Sequence, residues 1–139
     1  MKQARHSLTF RFRGQGLYEI TDEIADWLAN QPIREGLLTL FLRHTSASLV
    51  LQENADPDVQ RDLETFFKNL APEDPALYRH TTEGPDDMPA HIKAALTQAQ
   101  LNIPVSGKCL QLGTWQGIYL FEHRDAPHAR ELLLHLIGE

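Results

Sequence analysis

Three histidines occupy positions that could meet around one site. His44 follows a strongly apolar segment, His80 lies in an acidic stretch, and His91 falls on the apolar stripe of a predicted helix. Imidazole is a common metal ligand, and rings from a strand end, a loop and a helix can hold a divalent ion. A lone inward histidine is also typical of a core residue bonded to a backbone carbonyl, and these spacings match no short zinc motif. The residues alone leave both interpretations open.

Carboxylates recur near the same positions. Glu53 and Asp56 close a strand-to-helix turn, and Glu122 ends an apolar strand. Further acids share the loop with His80, namely Glu83, Asp86 and Asp87. Carboxylates at strand ends can bind Mg²⁺ or orient metal-bound imidazoles. Asp56 also has a structural explanation as a helix N-cap.

Several basic and hydroxyl side chains could contact a phosphate, among them Ser46, Lys93 and Arg124. The formal net charge is −6, so such bases would have to be focused in one cleft. The chain lacks the basic face that non-specific nucleic-acid binding requires, and we expect no nucleic-acid partner. It also has no P-loop, dinucleotide glycine fingerprint or serine-hydrolase elbow.

The elements that position these residues predict an α+β fold in one domain, residues 1–139, with a mainly antiparallel sheet and about three helices. One helix should begin at Thr21 as N-cap, a second after Asp56, and a third should run from Met88 to about Ala99 with its apolar stripe inward. Residues 37–42 form an apolar run typical of a strand buried on both faces. The other predicted strands are 3–13, 46–52, 103–105, 109–112, 116–122 and 131–137.

No apolar run approaches the roughly 18 residues that span a bilayer, and the first ten residues lack the apolar centre of a signal peptide. The single cysteine, Cys109, excludes an intramolecular disulfide and is expected to be a buried, inert thiol. We therefore expect a cytoplasmic protein with no membrane partner.

Three long blocks carry a resemblance to a known family. They are HTSASLVLQENADPDVQRDL (44–63), YRHTTEGPDDMPAHIKAAL (78–96) and GKCLQLGTWQGIYLFEHRD (107–125). In these blocks the chain resembles the YjbQ family, whose members are described as secondary thiamine-phosphate synthases. The resemblance implies the family's own α+β fold, a homotrimer, and a metal pocket built from shared histidines. By position it matches His44, His80 and His91 to family histidines, Glu53, Asn54 and Asp56 to an acidic turn, and Trp115, Gln116 and Glu122 to a third motif.

The activity implied by the resemblance joins a pyrimidine methyl pyrophosphate to a thiazole phosphate and releases pyrophosphate. The hypothesis is a metal-dependent transferase for phosphorylated small molecules, with Zn²⁺, Mn²⁺, Fe²⁺ or Mg²⁺ as the ion. His44, His80 and His91 would hold the metal. His44, Glu53, Asp56 and Glu122 would act in catalysis, and Ser46, Asn54, Lys93, Gln116 and Arg124 would bind substrate. The alternatives are a non-catalytic module that binds metal or a small anion, and a metal-dependent phosphohydrolase.

Overall fold

Two antiparallel sheets and three helices make up the fold in a computed structural model that describes residues 1–139. The five-stranded sheet has the order β1-β8-β3-β5-β6 and the three-stranded sheet the order β2-β7-β4. The strands are β1 (Lys2–Arg11), β2 (Gly16–Glu19), β3 (Gly36–Leu42), β4 (Ala47–Glu53), β5 (Gln100–Ser106), β6 (Cys109–Leu110), β7 (Gln116–Glu122) and β8 (Ala129–Gly138). The helices are α1 (Thr21–Ala29), α2 (Pro57–Leu70) and α3 (Asp87–Leu96), with a 3₁₀ turn at Pro75–Leu77. The predicted α+β class is confirmed.

The two sheets share one hydrophobic core, to which both contribute alternate residues of their strands. The prediction that β3 is buried on both faces is wrong. Leu38, Leu40 and Leu42 are buried, whereas Leu37 and Phe41 on the other face are 39% and 44% exposed. The apolar run therefore has one side in the core and one side that the chain itself leaves uncovered.

Helix α2 begins as predicted. The Asp56 carboxylate accepts a hydrogen bond from the Asp58 amide at 2.9 Å, and Pro57 takes the first helical position, where its missing N–H costs nothing. Thr21, in contrast, is not the N-cap of α1. Its hydroxyl accepts from the Ile118 amide at 2.9 Å and so ties the helix to β7.

The inward face of α3 differs from the predicted stripe. The buried residues of this helix are Asp87, Pro89, Ala90 and Lys93, while Leu96 is 58% exposed. The helix ends at Leu96 because residues from Gln98 onward pair with β4 and then enter β5. The structure therefore buries an acid and a lysine where the sequence pattern predicted apolar side chains.

Strand β2 was not predicted, because Gly14 and Gly16 read as the end of one strand rather than the turn between two. Cys109 is exposed, not buried. None of the helices has the length and apolar character needed to cross a bilayer.

Candidate functional site

Two of the three predicted histidines meet, and a carboxylate joins them. Nε2 of His80 lies 2.7 Å from Oδ2 of Asp87, and Nε2 of His91 lies 3.1 Å from the same oxygen. One ligand atom from each residue lies within 4.8 Å of the other two. We call these three residues the histidine cluster. Asp87 and His91 are four residues apart on α3, so the helix itself places both side chains on one face.

The contact at the second nitrogen of His91 determines which ring nitrogen carries the proton. Nδ1 of His91 lies 2.9 Å from the carbonyl oxygen of Thr45, which can only accept a hydrogen bond. A neutral imidazole has one N–H, so Nδ1 donates to Thr45 and Nε2 presents a lone pair. That lone pair faces the Asp87 carboxylate, another acceptor. A positive charge is therefore needed between them, either a second proton on the ring or a metal ion.

Asp87 is held in place by an arginine. It is 4% exposed, and its Oδ1 accepts from Nη1 of Arg124 at 2.7 Å. Burial by itself raises the pKa of Asp87, but the hydrogen bond from His80 and the charges of His91 and Arg124 outweigh it and leave the pKa below its usual value. Asp87 is therefore ionised at neutral pH.

Arg124 donates hydrogen bonds to three residues of the segment that contains Asp87. Besides Asp87 it donates through Nε to Asp86 at 2.9 Å and through Nη2 to the Glu83 carbonyl at 3.0 Å. Burial alone lowers the pKa of Arg124, and the hydrogen bond and charge of Asp86 reverse that effect and raise it. The structure thus makes Arg124 a positioning residue for Asp87, whereas the sequence predicted that it would bind phosphate.

His44 does not join the cluster. Its Nε2 accepts a hydrogen bond from the Glu131 amide at 2.7 Å, at the start of β8. Burial and the charge of Arg130 lower the pKa of His44, so the ring is neutral. The expected meeting of His44, His80 and His91 is therefore wrong: the structure brings together His80, His91 and Asp87, because the Glu131 amide already occupies the His44 lone pair.

Glu122 forms a buried ion pair with Arg130, and Ser46 is hydrogen-bonded to the same arginine. Glu122 has no exposed surface, and its two oxygens accept from Nε and Nη2 of Arg130 at 2.8 and 2.5 Å. Arg130 also donates to the Ser46 hydroxyl at 3.0 Å. This bidentate pair joins β4, β7 and β8. It leaves neither Glu122 nor Ser46 free to bind a substrate.

The acidic turn lies at the opposite end of the three-stranded sheet. Ala47 pairs with Glu122 at one end of β4, and Glu53 pairs with Gln116 at the other, so the strand separates them by about 20 Å. Asn54 donates to Glu19 at 3.0 Å, Gln116 accepts from the Gly113 amide at 2.8 Å, and Asp56 caps α2. The structure does not bring Glu53, Asn54, Asp56 or Gln116 to the histidine cluster.

Lys93 also points away from the cluster. It is two residues beyond His91 on α3, and positions so spaced do not share a helix face. Its Nζ donates to the side-chain oxygen of Gln15 at 2.9 Å, in a cavity that also has Lys68 in its wall. Burial lowers the pKa of Lys93.

A buried chain of hydrogen-bonded side chains contains another histidine, His123. His123 has no exposed surface, its Nε2 lies 2.9 Å from the Ser48 hydroxyl, and its Nδ1 has no partner in the protein. The Thr97 hydroxyl lies 2.6 Å from the Ser48 hydroxyl and completes a short buried chain. Burial first, and then the charges of Lys93 and Arg130, lower the pKa of His123 to about 3.

Comparisons with known proteins agree on one family. A family model described as "UPF0047 protein YjbQ-like" matches residues 6–139. A UPF0047 protein of Synechocystis is 49% identical over 138 residues, which cover 99% of this chain and 94% of the relative. The UPF0047 protein YjbQ of Escherichia coli O157:H7 is 46% identical over 134 residues, with 96% of each chain covered. A conserved hypothetical protein of Thermus thermophilus has a similar solved structure, with a TM-score of 0.85, 34% identity, and coverage of 95% of this chain and 99% of that one.

Proposed function

The chain belongs to the YjbQ-like UPF0047 family, and from that premise we propose that it is a metal-dependent transferase with thiamine-phosphate synthase activity. The reaction would join the methylene carbon of a pyrimidine methyl pyrophosphate to the nitrogen of a thiazole phosphate. The carbon–oxygen bond to pyrophosphate would break, and pyrophosphate would leave with the bonding electrons. The activity comes from the family resemblance, and the metal from the histidine cluster.

One observation carries the metal part of this proposal. His91 meets an acceptor oxygen at each ring nitrogen, Thr45 on one side and Asp87 on the other. His80 directs its own Nε2 at the same Asp87 oxygen. A divalent cation held by two imidazoles and one carboxylate satisfies all three groups, and this donor set favours Zn²⁺, Fe²⁺ or Mn²⁺ over Mg²⁺.

The accessibility of the cluster favours a working site over a structural one. Structural zinc sites are closed by four protein ligands, whereas catalytic sites keep an open position. Here three residues supply the ligands, and the His80 side chain is 44% exposed. When bound, the ion would act as a Lewis acid that stabilises the charge on a departing pyrophosphate. Arg124 and Thr45 would keep Asp87 and His91 oriented for it.

The test is turnover by the purified protein with both precursors present. The wild type loaded with Zn²⁺, Mn²⁺ or Fe²⁺ should form thiamine phosphate, and Asp87→Asn should reduce the rate at least tenfold. Asp62→Asn, which changes an exposed acid on α2, is the matched control and should retain the rate. Absence of product with every metal, from protein that binds one ion per chain, would reject the transferase.

A non-catalytic metal or anion-binding module is the second candidate, and a specific observation favours it. The carboxylates expected to serve as acid or base, Glu53, Asp56 and Glu122, lie in the distant turn or in a buried ion pair. A module of this kind would retain one precursor without converting it. Phosphate release from simple phosphoesters, with no second substrate present, would instead support a phosphohydrolase.

We also propose that the protein is a homotrimer, as the family resemblance implies. The outer face of the five-stranded sheet exposes Leu37, Phe41 and Ile137, which lie on the paired strands β3 and β8. Exposed apolar patches of this kind mark interaction surfaces, and copies of the same chain would cover them. Sedimentation equilibrium should give three chains per particle, and Phe41→Glu should lower that number. A monomeric wild type would refute the proposal.

A further inference from the structure

Helix α2 rests loosely on the sheet beneath it. It is strongly amphipathic, with Val59, Leu63 and Phe67 towards the protein, yet none of its 14 residues is buried. Phe66 and Leu70 are 58% and 51% exposed. Burial of the apolar face is the main force that holds such a helix to a protein. The apolar side chains of α2 that the protein leaves uncovered can therefore contact a bound molecule.

A cavity open to solvent lies beside this helix. It has a volume of about 490 Å³ and lies between α2, β4 and the end of α3. Ligand sites in proteins occupy roughly 300–1,000 Å³ and are mostly apolar with a few polar groups. This cavity has the same character, since eight of its eleven lining residues are apolar. Representative lining residues are Val50, Leu63, Phe67, Leu101 and Phe121.

A buried positive charge adjoins the cavity. Phe67 and Phe121 are shared with a second, smaller cavity whose wall includes Lys68 and Lys93. Lys93 is only 3% exposed, and its ammonium, which has three N–H donors, makes one hydrogen bond, to the neutral side chain of Gln15. Burial of an ammonium group with so few partners costs desolvation free energy, and a bound anion would offset that cost.

The charges around Lys93 favour a single negative charge on the ligand. Glu73, Asp125 and Asp86 attract the ammonium from a distance and Lys68 repels it, but Lys93 forms no salt bridge. Glu64, the acid in the cavity wall, already accepts a hydrogen bond from the Leu17 amide at 2.9 Å. A carboxylate matches this arrangement, whereas a phosphate dianion would bring excess negative charge beside the wall acid.

We propose that the two adjoining cavities form one binding site for a small hydrophobic carboxylate, separate from the histidine cluster. The apolar body lies between α2 and β4, and the carboxylate lies on Nζ of Lys93. The site shares no residue with His80, Asp87 and His91, so it goes beyond the proposed transferase.

Isothermal titration calorimetry with three probes tests this proposal on the full chain. Octanoate carries both features of the ligand, octanol has the same body without the charge, and inorganic phosphate has charge without the body. Octanoate should bind at least tenfold more tightly than octanol, and phosphate should not bind at the cavity. Equal binding of octanoate and octanol, or no binding of octanoate, would overturn the proposal.

Variants locate the two halves of the site. Lys93→Met keeps the length of the side chain, removes the charge, and should weaken octanoate at least tenfold while octanol is unchanged. Val50→Phe fills the cavity and should weaken both probes. Lys2→Met, at an exposed lysine of β1, is the matched control and should bind as the wild type does. Circular dichroism checks that each variant is folded, and if Lys93→Met is not, Lys93→Gln replaces it.

Two further results would decide against the proposal. If Asp87→Asn also loses octanoate, the site is not separate from the histidine cluster. If hydrogen exchange shows that α2 becomes protected as protein concentration rises and not when octanoate is added, another copy of the chain covers the cavity. Failure of octanoate binding leaves the turnover test intact, so the two proposals fail independently.

Discussion

Mild acid should destabilise this fold through the buried His123. Its pKa lies at about 3 in the folded protein, against 6.5 for an unperturbed histidine. Between pH 6.5 and pH 3, His123 is therefore protonated in the unfolded chain but neutral in the folded chain. The stability that this residue contributes is fully present above pH 6.5 and is lost as the pH falls towards 3. One pKa unit corresponds to about 1.4 kcal/mol, so His123 alone should lower the free energy of unfolding by about 2 kcal/mol between pH 6 and pH 4.5.

The assay is urea unfolding at pH 6 and pH 4.5, with the free energy of unfolding extrapolated at each pH. His123→Gln keeps a nitrogen donor for Ser48 but cannot titrate, so its loss over this interval should be about 2 kcal/mol smaller than that of the wild type. His6→Gln, at an exposed histidine, is the matched control and should retain the wild-type loss. An unchanged loss in His123→Gln would show that His123 does not have the lowered pKa in the folded protein.

Two further predictions concern the arginines behind the site. Arg124→Gln should weaken metal binding about 10- to 100-fold, because Asp87 loses the group that orients it, and titration calorimetry against the control Arg61→Gln measures this. Arg130→Met should destabilise the protein by about 3–5 kcal/mol, because it leaves the Glu122 carboxylate buried without a partner. The double variant with Glu122→Leu should recover most of that loss in urea unfolding, and no recovery would contradict the ion-pair explanation.

Local signals predicted much of the fold. The Asp-Pro-Asp sequence at Asp56 placed the start of α2, and the strand predicted over 116–122 has the limits that β7 has in the structure, Gln116–Glu122. The errors arose where tertiary contacts outweigh local pattern. Helix α3 buries Lys93 rather than its apolar stripe, and β3 buries only one face because nothing within the chain covers the other.

The contact within helix α3 could be predicted from the sequence, and the long-range contact of His44 could not. Asp87 and His91 are four residues apart on one helix, so the sequence spacing indicates their contact, although the sequence analysis placed Asp87 in the loop with His80. The position of His44 was not visible. Its partner, the Glu131 amide, is 87 residues away, and only the pairing of the strands brings the two together.

We propose that His80, Asp87 and His91 hold one divalent ion without His44. Elemental analysis after loading with Zn²⁺ and removal of the excess tests it directly. The wild type and His44→Ala should each retain one ion per chain, and the double variant His80→Ala/His91→Ala should retain none while its circular dichroism is unchanged. Full occupancy in the double variant, or loss of the ion in His44→Ala, would contradict this ligand set.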